Sequence, residues 1–161
     1  MTERTRLYVE TTVVSYLVAR PSRDVIVAGH QQTTHDWWQR RSRDSELCIS
    51  QLVIEEAASG DRQAVENRLA ILEKMTVLEI ADQAVELAEV LVRGQALPAK
   101  AGNDALHIAV AAVHRVPFLV TWNCRHLANA VLRKRIEALC AEQGFAAPVI
   151  CTPEELLEVD G

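Results

Sequence analysis

Residues 119–130, LVTWNCRHLANA, pass from an apolar, strand-like stretch directly into Thr, Trp, Asn, Cys, Arg and His. A strand ending at Thr121 puts this polar cluster at its carboxyl end, where open α/β sheets place their chemistry. Asn123 then stands where a charged ligand is expected. The flanking segments decide whether such a sheet exists.

Working outward, RLYVE (6–10), ELCIS (46–50), MTVLEI (75–80), PFLVT (117–121) and PVICT (148–152) are short, apolar and often β-branched, and polar or helix-like segments bound them. They read as five strands. Between them TTVVSYLVA (11–19), AVENRLAILEK (64–74), QAVELAEVLVRG (83–94) and NDALHIAVAAVHR (103–115) carry helix signals, and Asn103 or Asp104 opens the last of these. Residues 20–44 are long for a loop, and the spacing predicts a helix over VIVAGHQQTTHDWWQRR, with Trp37 and Trp38 on it and at least one indole exposed. Strand–helix alternation implies an α/β fold with a parallel sheet covered on both faces. With no repeat or linker, residues 1–161 read as one domain.

Composition narrows the classes. The 161 residues are 49% hydrophobic and 24% charged, enough for one globular core. No apolar run approaches the roughly 18 residues that span a bilayer, and MTERTRLYVE has charges where a secretory signal needs a hydrophobic core, so the expected location is cytoplasmic with no membrane partner. Four cysteines without a C-x-x-C pair read as reduced thiols in or near the core rather than a disulfide framework or zinc site. The net charge of −5 argues against nonspecific coating of nucleic acid, while a local basic patch can still guide one strand.

The acidic residues fall at strand ends and helix starts. Glu10 ends the first strand, Glu55 and Glu56 lie in the helix that Ser50 caps, and Asp104 starts the helix before the fourth strand. In a right-handed parallel sheet such positions can converge on one rim and form an oxygen-lined cleft. Hard divalent cations favour that ligand set, and Mg²⁺ or Mn²⁺ held by carboxylates is the usual device for cutting phosphodiesters. The plainer alternatives stay open: Glu10 facing the positive end of its helix, Asp104 as an ordinary helix-start acid, and Glu55 or Glu56 facing solvent. His107, three residues beyond Asp104, reads as its hydrogen-bond partner, and Thr11 either orients an acid or caps its helix.

YVETTVVSYL, SQLVIEEAASG, NDALHIAVAA, FLVTWNCRHLAN and PVICTPEEL resemble the successive blocks of a PIN domain, in the order and spacing of the VapC-like toxins of bacterial toxin–antitoxin pairs. The resemblance implies a PIN-like, Rossmann-like three-layer α/β/α fold around a central parallel five-stranded sheet. It also implies a Mg²⁺- or Mn²⁺-dependent endoribonuclease, a homodimer, and a small antitoxin partner.

Position by position, the resemblance puts Glu10 at the family's first aspartate, Glu56 at the glutamate after the strand-ending serine, and Asp104 at the aspartate of the D-A-L block. Asn123 falls on the acidic position after LVT, and His126 near a further aspartate of many relatives. The implied catalytic set is Glu10, Glu56, Asp104 and Asn123, with the metal on the first three. Glu for Asp adds about 1.5 Å of reach. Asn for Asp removes a charge, so at most three carboxylates remain, a set suited to one tightly held metal. Asn123 can ligate or orient a water but cannot act as a general base.

RNA contact needs positive charge, and Arg125 and His126 beside the site, with RKR (133–135) on the next helix, are candidates for flanking phosphates. A solvated helix face explains Arg133, Lys134 and Arg135 as well. Trp122 either stacks on a base or packs under the loop. Two other functions fit the residues: a PIN-fold module whose weakened site binds RNA or protein without cutting, and a metal-dependent phosphatase or flap-type nuclease acting on DNA.

Overall fold

The computed structural model describes residues 4–157, so both ends of the expected 1–161 domain lie outside the described residues. Five strands, β1 (Thr5–Val9), β2 (Ser45–Ser50), β3 (Thr76–Leu78), β4 (Phe118–Val120) and β5 (Val149–Cys151), form one sheet in the order β3-β2-β1-β4-β5. Every pairing is parallel, with Tyr8 beside both Cys48 and Leu119, and Leu119 beside Ile150. The three inner strands bury Tyr8, Val9, Ile49, Leu119 and Val120. Val77 and Val149, on the two edge strands, stay 53% and 55% exposed. A central parallel strand must be apolar on both faces; an edge strand need not be.

Seven helices accompany the sheet among the described residues: α1 (Thr11–Val18), α2 (Val25–Arg41), α3 (Gln51–Ala57), α4 (Arg62–Leu72), α5 (Asp82–Arg93), α6 (Gly102–Val113) and α7 (Ala130–Glu142). They pack in two groups, α1 against α2, α3 and α4, and α5 against α6 and α7. The first group follows β1 and β2, where the chain winds toward β3; the second precedes β4 and follows it, where the chain winds toward β5. Right-handed crossovers in opposite directions place the two groups on opposite faces, which gives the three-layer α/β/α arrangement. None of the described helices is long and apolar enough to cross a membrane.

The reversal of winding falls between β1 and β4. Their carboxyl ends diverge into different helices, and a crevice opens there. Ladder bonding continues one residue past each strand, with Glu10 N donating to Val120 O at 3.0 Å and Thr121 N to Cys151 O at 2.9 Å. These bonds fix both residues at the rim, although neither counts as strand.

Three local expectations are corrected. Trp37 is fully buried and Trp38 packs against the core half-buried, so neither indole stands free as an interface anchor. The helix α2 has an amphipathic demand that its polar sequence hides: Gln31, Thr34 and Trp37 face inward at spacings of three. Helix α7 starts at Ala130, capped by the Asn129 side chain on Val131 N at 3.0 Å, so residues 133–135 lie one turn in. Of the four cysteines, Cys48, Cys140 and Cys151 are buried free thiols, whereas Cys124 is exposed.

The closing turn of α5 packs tightly on α7. A Cβ at Gly94 would lie 2.6 Å from Cδ1 of the buried Leu139. Gly94→Ala is therefore expected to destabilise the fold by about 1–3 kcal/mol through overpacking. Urea unfolding measures it, and an unchanged midpoint would show that α7 can move aside.

Candidate active site

Glu10 leaves β1 and becomes the N-cap of α1. Its Oε2 accepts from Thr12 N at 3.2 Å, while Oε1 accepts from Thr12 Oγ1 and, at 2.6 Å, from Thr121 Oγ1. The side chain is only 4% exposed. A carboxylate this buried is costly unless its lone pairs are met, and three donors meet them. Thr12 Oγ1 also accepts from Trp122 N at 2.9 Å, which stitches the end of β4 to the acid at the end of β1.

Glu56 reaches the same rim from α3, with Glu55 left exposed beside it. Its Oε1 accepts from Thr11 Oγ1 and from His107 Nε2, both at 2.7 Å. Burial pushes its carboxyl pKa up, but hydrogen bonding and charge from His107, with further bonds from Thr11 and Asn103, outweigh that and hold it below the ordinary value of 4.5. Ser50 occupies the N-cap position of α3 without capping it, since its Oγ sits 2.8 Å from the Tyr8 hydroxyl instead.

His107, on α6, is fully buried and shares hydrogen bonds with Tyr8 through Nδ1 and Glu56 through Nε2, each at 2.7 Å. The expected partnership with Asp104 is not formed. Asp104 Oδ2 instead meets Nδ1 of His126 at 3.1 Å, with both side chains about one-fifth exposed, 18% and 19%. On one helix, residue 107 turns into the core and residue 104 stays at the rim, so each finds a partner at its own depth.

Among the described residues, one set of metal-ligating side chains gathers, namely Glu10, Glu56 and His107, with one ligand atom from each within 4.8 Å of the others. Asp104 is outside this set. Asn123 uses Oδ1 to accept from Arg125 N at 3.2 Å and His126 N at 3.1 Å. Both lone pairs of that carbonyl thus face backbone donors of the turn, and Asn123 caps the loop. Trp122 is also corrected as a base platform: it is 8% exposed, its Nε1 donates to Thr34 Oγ1 at 2.7 Å, and its ring stacks on His30 at 4.2 Å. Arg125 is exposed; Arg133 is half-buried, and Arg135 Nε donates to Gly94 O at 3.1 Å.

Several residues at the rim escaped sequence reasoning. Thr12, Thr121 and Tyr8 adjoin identified positions, yet nothing in their spacing says that hydroxyls at 12 and 121 meet on one carboxylate oxygen. The fully buried state of His107 is equally silent in sequence, since the pattern of α6 is apolar on nearly every side.

Two outcomes follow. Because the folded pKa of Glu56 is depressed, its network stabilises the protein fully above the unfolded value near 4.5 and loses that contribution as pH falls through the lower folded value. In chelator, the melting temperature of wild type should therefore drop more steeply than that of Glu56→Gln below about pH 4.5; equal slopes would contradict it. Asn123→Asp should leave Mn²⁺ affinity unchanged in calorimetric titration, because Asp caps a turn about as well as Asn. A clear gain in affinity would return position 123 to the metal site.

Comparison with known proteins places the chain. The model of the PIN domain family matches residues 7–131. No curated protein matches the sequence. Among solved structures, the chain is similar to one in the crystal structure of VapBC2 from Rickettsia felis bound to a DNA fragment from their promoter, at 15% identity and a TM-score of 0.60, covering 92% of this chain and 98% of that one. It is also similar to Mycobacterium tuberculosis VapC20, a sarcin-ricin loop cleaving toxin, at 20% identity and a TM-score of 0.53, covering 70% of this chain and 86% of that one. The family match spans most of the sheet and the whole rim, and on it the chain belongs to the PIN domain family.

Proposed function

We propose that this protein is a divalent-cation-dependent endoribonuclease and the toxin of a toxin–antitoxin pair, with RNA as substrate and a small antitoxin as partner. The observation that carries the reading is the meeting of Glu10 and Glu56, from different elements, within 4.8 Å at the crevice between β1 and β4. Family membership and likeness to VapC-type toxins support the same reading. Homodimer formation belongs to the proposal as well.

The donor set suits Mg²⁺ or Mn²⁺. A carboxylate offers about four lone-pair sites. Glu10 spends three on Thr12 and Thr121, and Glu56 spends two on Thr11 and His107, so each keeps at least one for a hard cation. Glu10 and Glu56 would hold the ion, and Asp104 would supply the third carboxylate from the first turn of α6. When bound, such a cation polarises a phosphoryl oxygen and lowers the pKa of an attacking water. The threonine hydroxyls keep both glutamates in one orientation, and at Glu10 so offset the freedom of the extra methylene. Arg125, exposed on the loop after β4, would contact a phosphate beside the scissile bond, and His126 would stay on Asp104.

A second reading is favoured by one observation: the Asn123 carbonyl is committed to backbone, which leaves no fourth oxygen at the position after LVT. On that reading the chain binds RNA or protein without cutting. Incubating the purified chain with RNA separates the two. The nuclease reading expects cleavage in Mn²⁺, loss in chelator, and a fall of about 100-fold or more in Glu56→Gln and Asp104→Asn with the fold retained. Wild-type rates in either variant, or in chelator, would overturn the assignment; RNA binding without cleavage would favour the second reading. Growth arrest on expression, relieved by an adjoining small reading frame, tests the toxin assignment.

A further inference from the structure

We propose that His107 is a positioning residue for the metal-binding carboxylate: its Nε2 proton holds Oε1 of Glu56, leaves Oε2 to a bound cation, and keeps the imidazole itself off that cation. The inference rests on the metal reading above and deepens it. Distance alone would admit His107 as a third ligand, because one of its ring nitrogens lies in the same gathering as the two carboxylates. Proton counting decides otherwise.

The contact between Nε2 and Glu56 Oε1 is 2.7 Å, a hydrogen-bond length that requires a proton between the two atoms. Glu56 Oε1 already accepts from Thr11 Oγ1, and a carboxylate is an acceptor that brings no proton of its own. The proton therefore sits on Nε2, and a ring nitrogen bearing hydrogen has no lone pair for a metal. The other nitrogen is closed too: Nδ1 faces the Tyr8 hydroxyl at 2.7 Å inside the core. The Tyr8 hydroxyl in turn lies 2.8 Å from Ser50 Oγ.

Ser50, Tyr8 and His107 thus form a dry line of hydrogen bonds ending on Glu56, and all three are fully buried. With Nδ1 unprotonated, Ser50 donates to Tyr8, Tyr8 to Nδ1, and Nε2 to Glu56; with Nδ1 protonated, the inner two bonds reverse. In both arrangements Nε2 donates to Glu56. A buried donor left without its acceptor is costly, so the line fixes where Oε1 must be. The line starts on β1 and β2 and ends on α3, tying the aim of one carboxylate to the centre of the sheet.

The test uses the full chain and Mn²⁺ as probe, with calorimetric titration and pulsed electron paramagnetic resonance of the bound ion, and chelator melts to verify folding. His107→Leu should bind Mn²⁺ about 10–100-fold more weakly, the usual range for a group that orients a ligand. His107→Gln, which restores an N–H donor, should recover part of the loss, and Tyr8→Phe should weaken binding less than His107→Leu. Wild-type affinity in His107→Leu overturns the inference; if that variant does not fold, unchanged affinity in both His107→Gln and Tyr8→Phe overturns it. A nitrogen coupling to Mn²⁺ that disappears in His107→Gln also overturns it, by placing the imidazole on the ion. A wild-type chain that does not bind Mn²⁺ removes the metal reading and this inference together, a result distinct from tight binding that ignores His107.

Discussion

Two carboxylates within 4.8 Å of one another at a poorly solvated rim are the constraint that organises this molecule. Like charges so placed repel, and little water is available to screen them, so the chain must deliver hydrogen-bond donors from wherever the fold can reach. It draws them from Thr11 and Thr12 at the start of α1, Thr121 after β4, and Asn103 and His107 on α6. The rim is accordingly where elements distant in sequence are tied together. A conformation that displaced any one of them would leave one of the two carboxylates short of a partner.

That constraint also accounts for the tolerance of glutamate where the family resemblance leads one to expect aspartate. The longer side chain adds a rotatable bond, and an unrestrained carboxylate would present its oxygens in many directions. At Glu10 the hydroxyls of Thr12 and Thr121 converge on a single oxygen, so the additional bond has little freedom left. At Glu56, where the resemblance leads one to expect glutamate, a hydroxyl and an imidazole likewise meet on one oxygen. The site is built in two layers, acids at the rim and neutral or hydrogen-bonding groups beneath, and the lower layer sets the aim of the upper one.

The loop after β4 serves the same end by a different route. Asn123 caps its own turn, Trp122 is wedged between His30 and Thr34, and the Trp122 amide rests on Thr12. Residues that look in isolation like an RNA-reading set thus hold the loop against α2 and α1. Of the basic residues on this loop, Arg125 is exposed and His126 partly so, and His126 is occupied by Asp104.

The sequence by itself determined the layering and the rim to which the acids are brought. Short continuous apolar runs around Tyr8, Ile49, Val77, Leu119 and Ile150 specify strands, and the helical periods between them force a parallel sheet with its carboxyl ends at one rim. The meeting of Glu10 and Glu56 at that rim was legible because strand ends and helix starts are local features, whereas Asp104 stands outside their gathering. Tertiary structure alone decided their partners. His107 and Asp104 are neighbours on one helix, yet they bond to Glu56 and His126, because hydrogen bonding at depth depends on which side chain is buried and which is not. The same holds for Ser50, drawn from its helix cap to Tyr8, and for Trp37, buried in a helix of polar composition. Spacing along a chain fixes direction and face; what waits at the other end of a hydrogen bond is fixed by the packing of segments that the chain brings together from as far as residues 10 and 121.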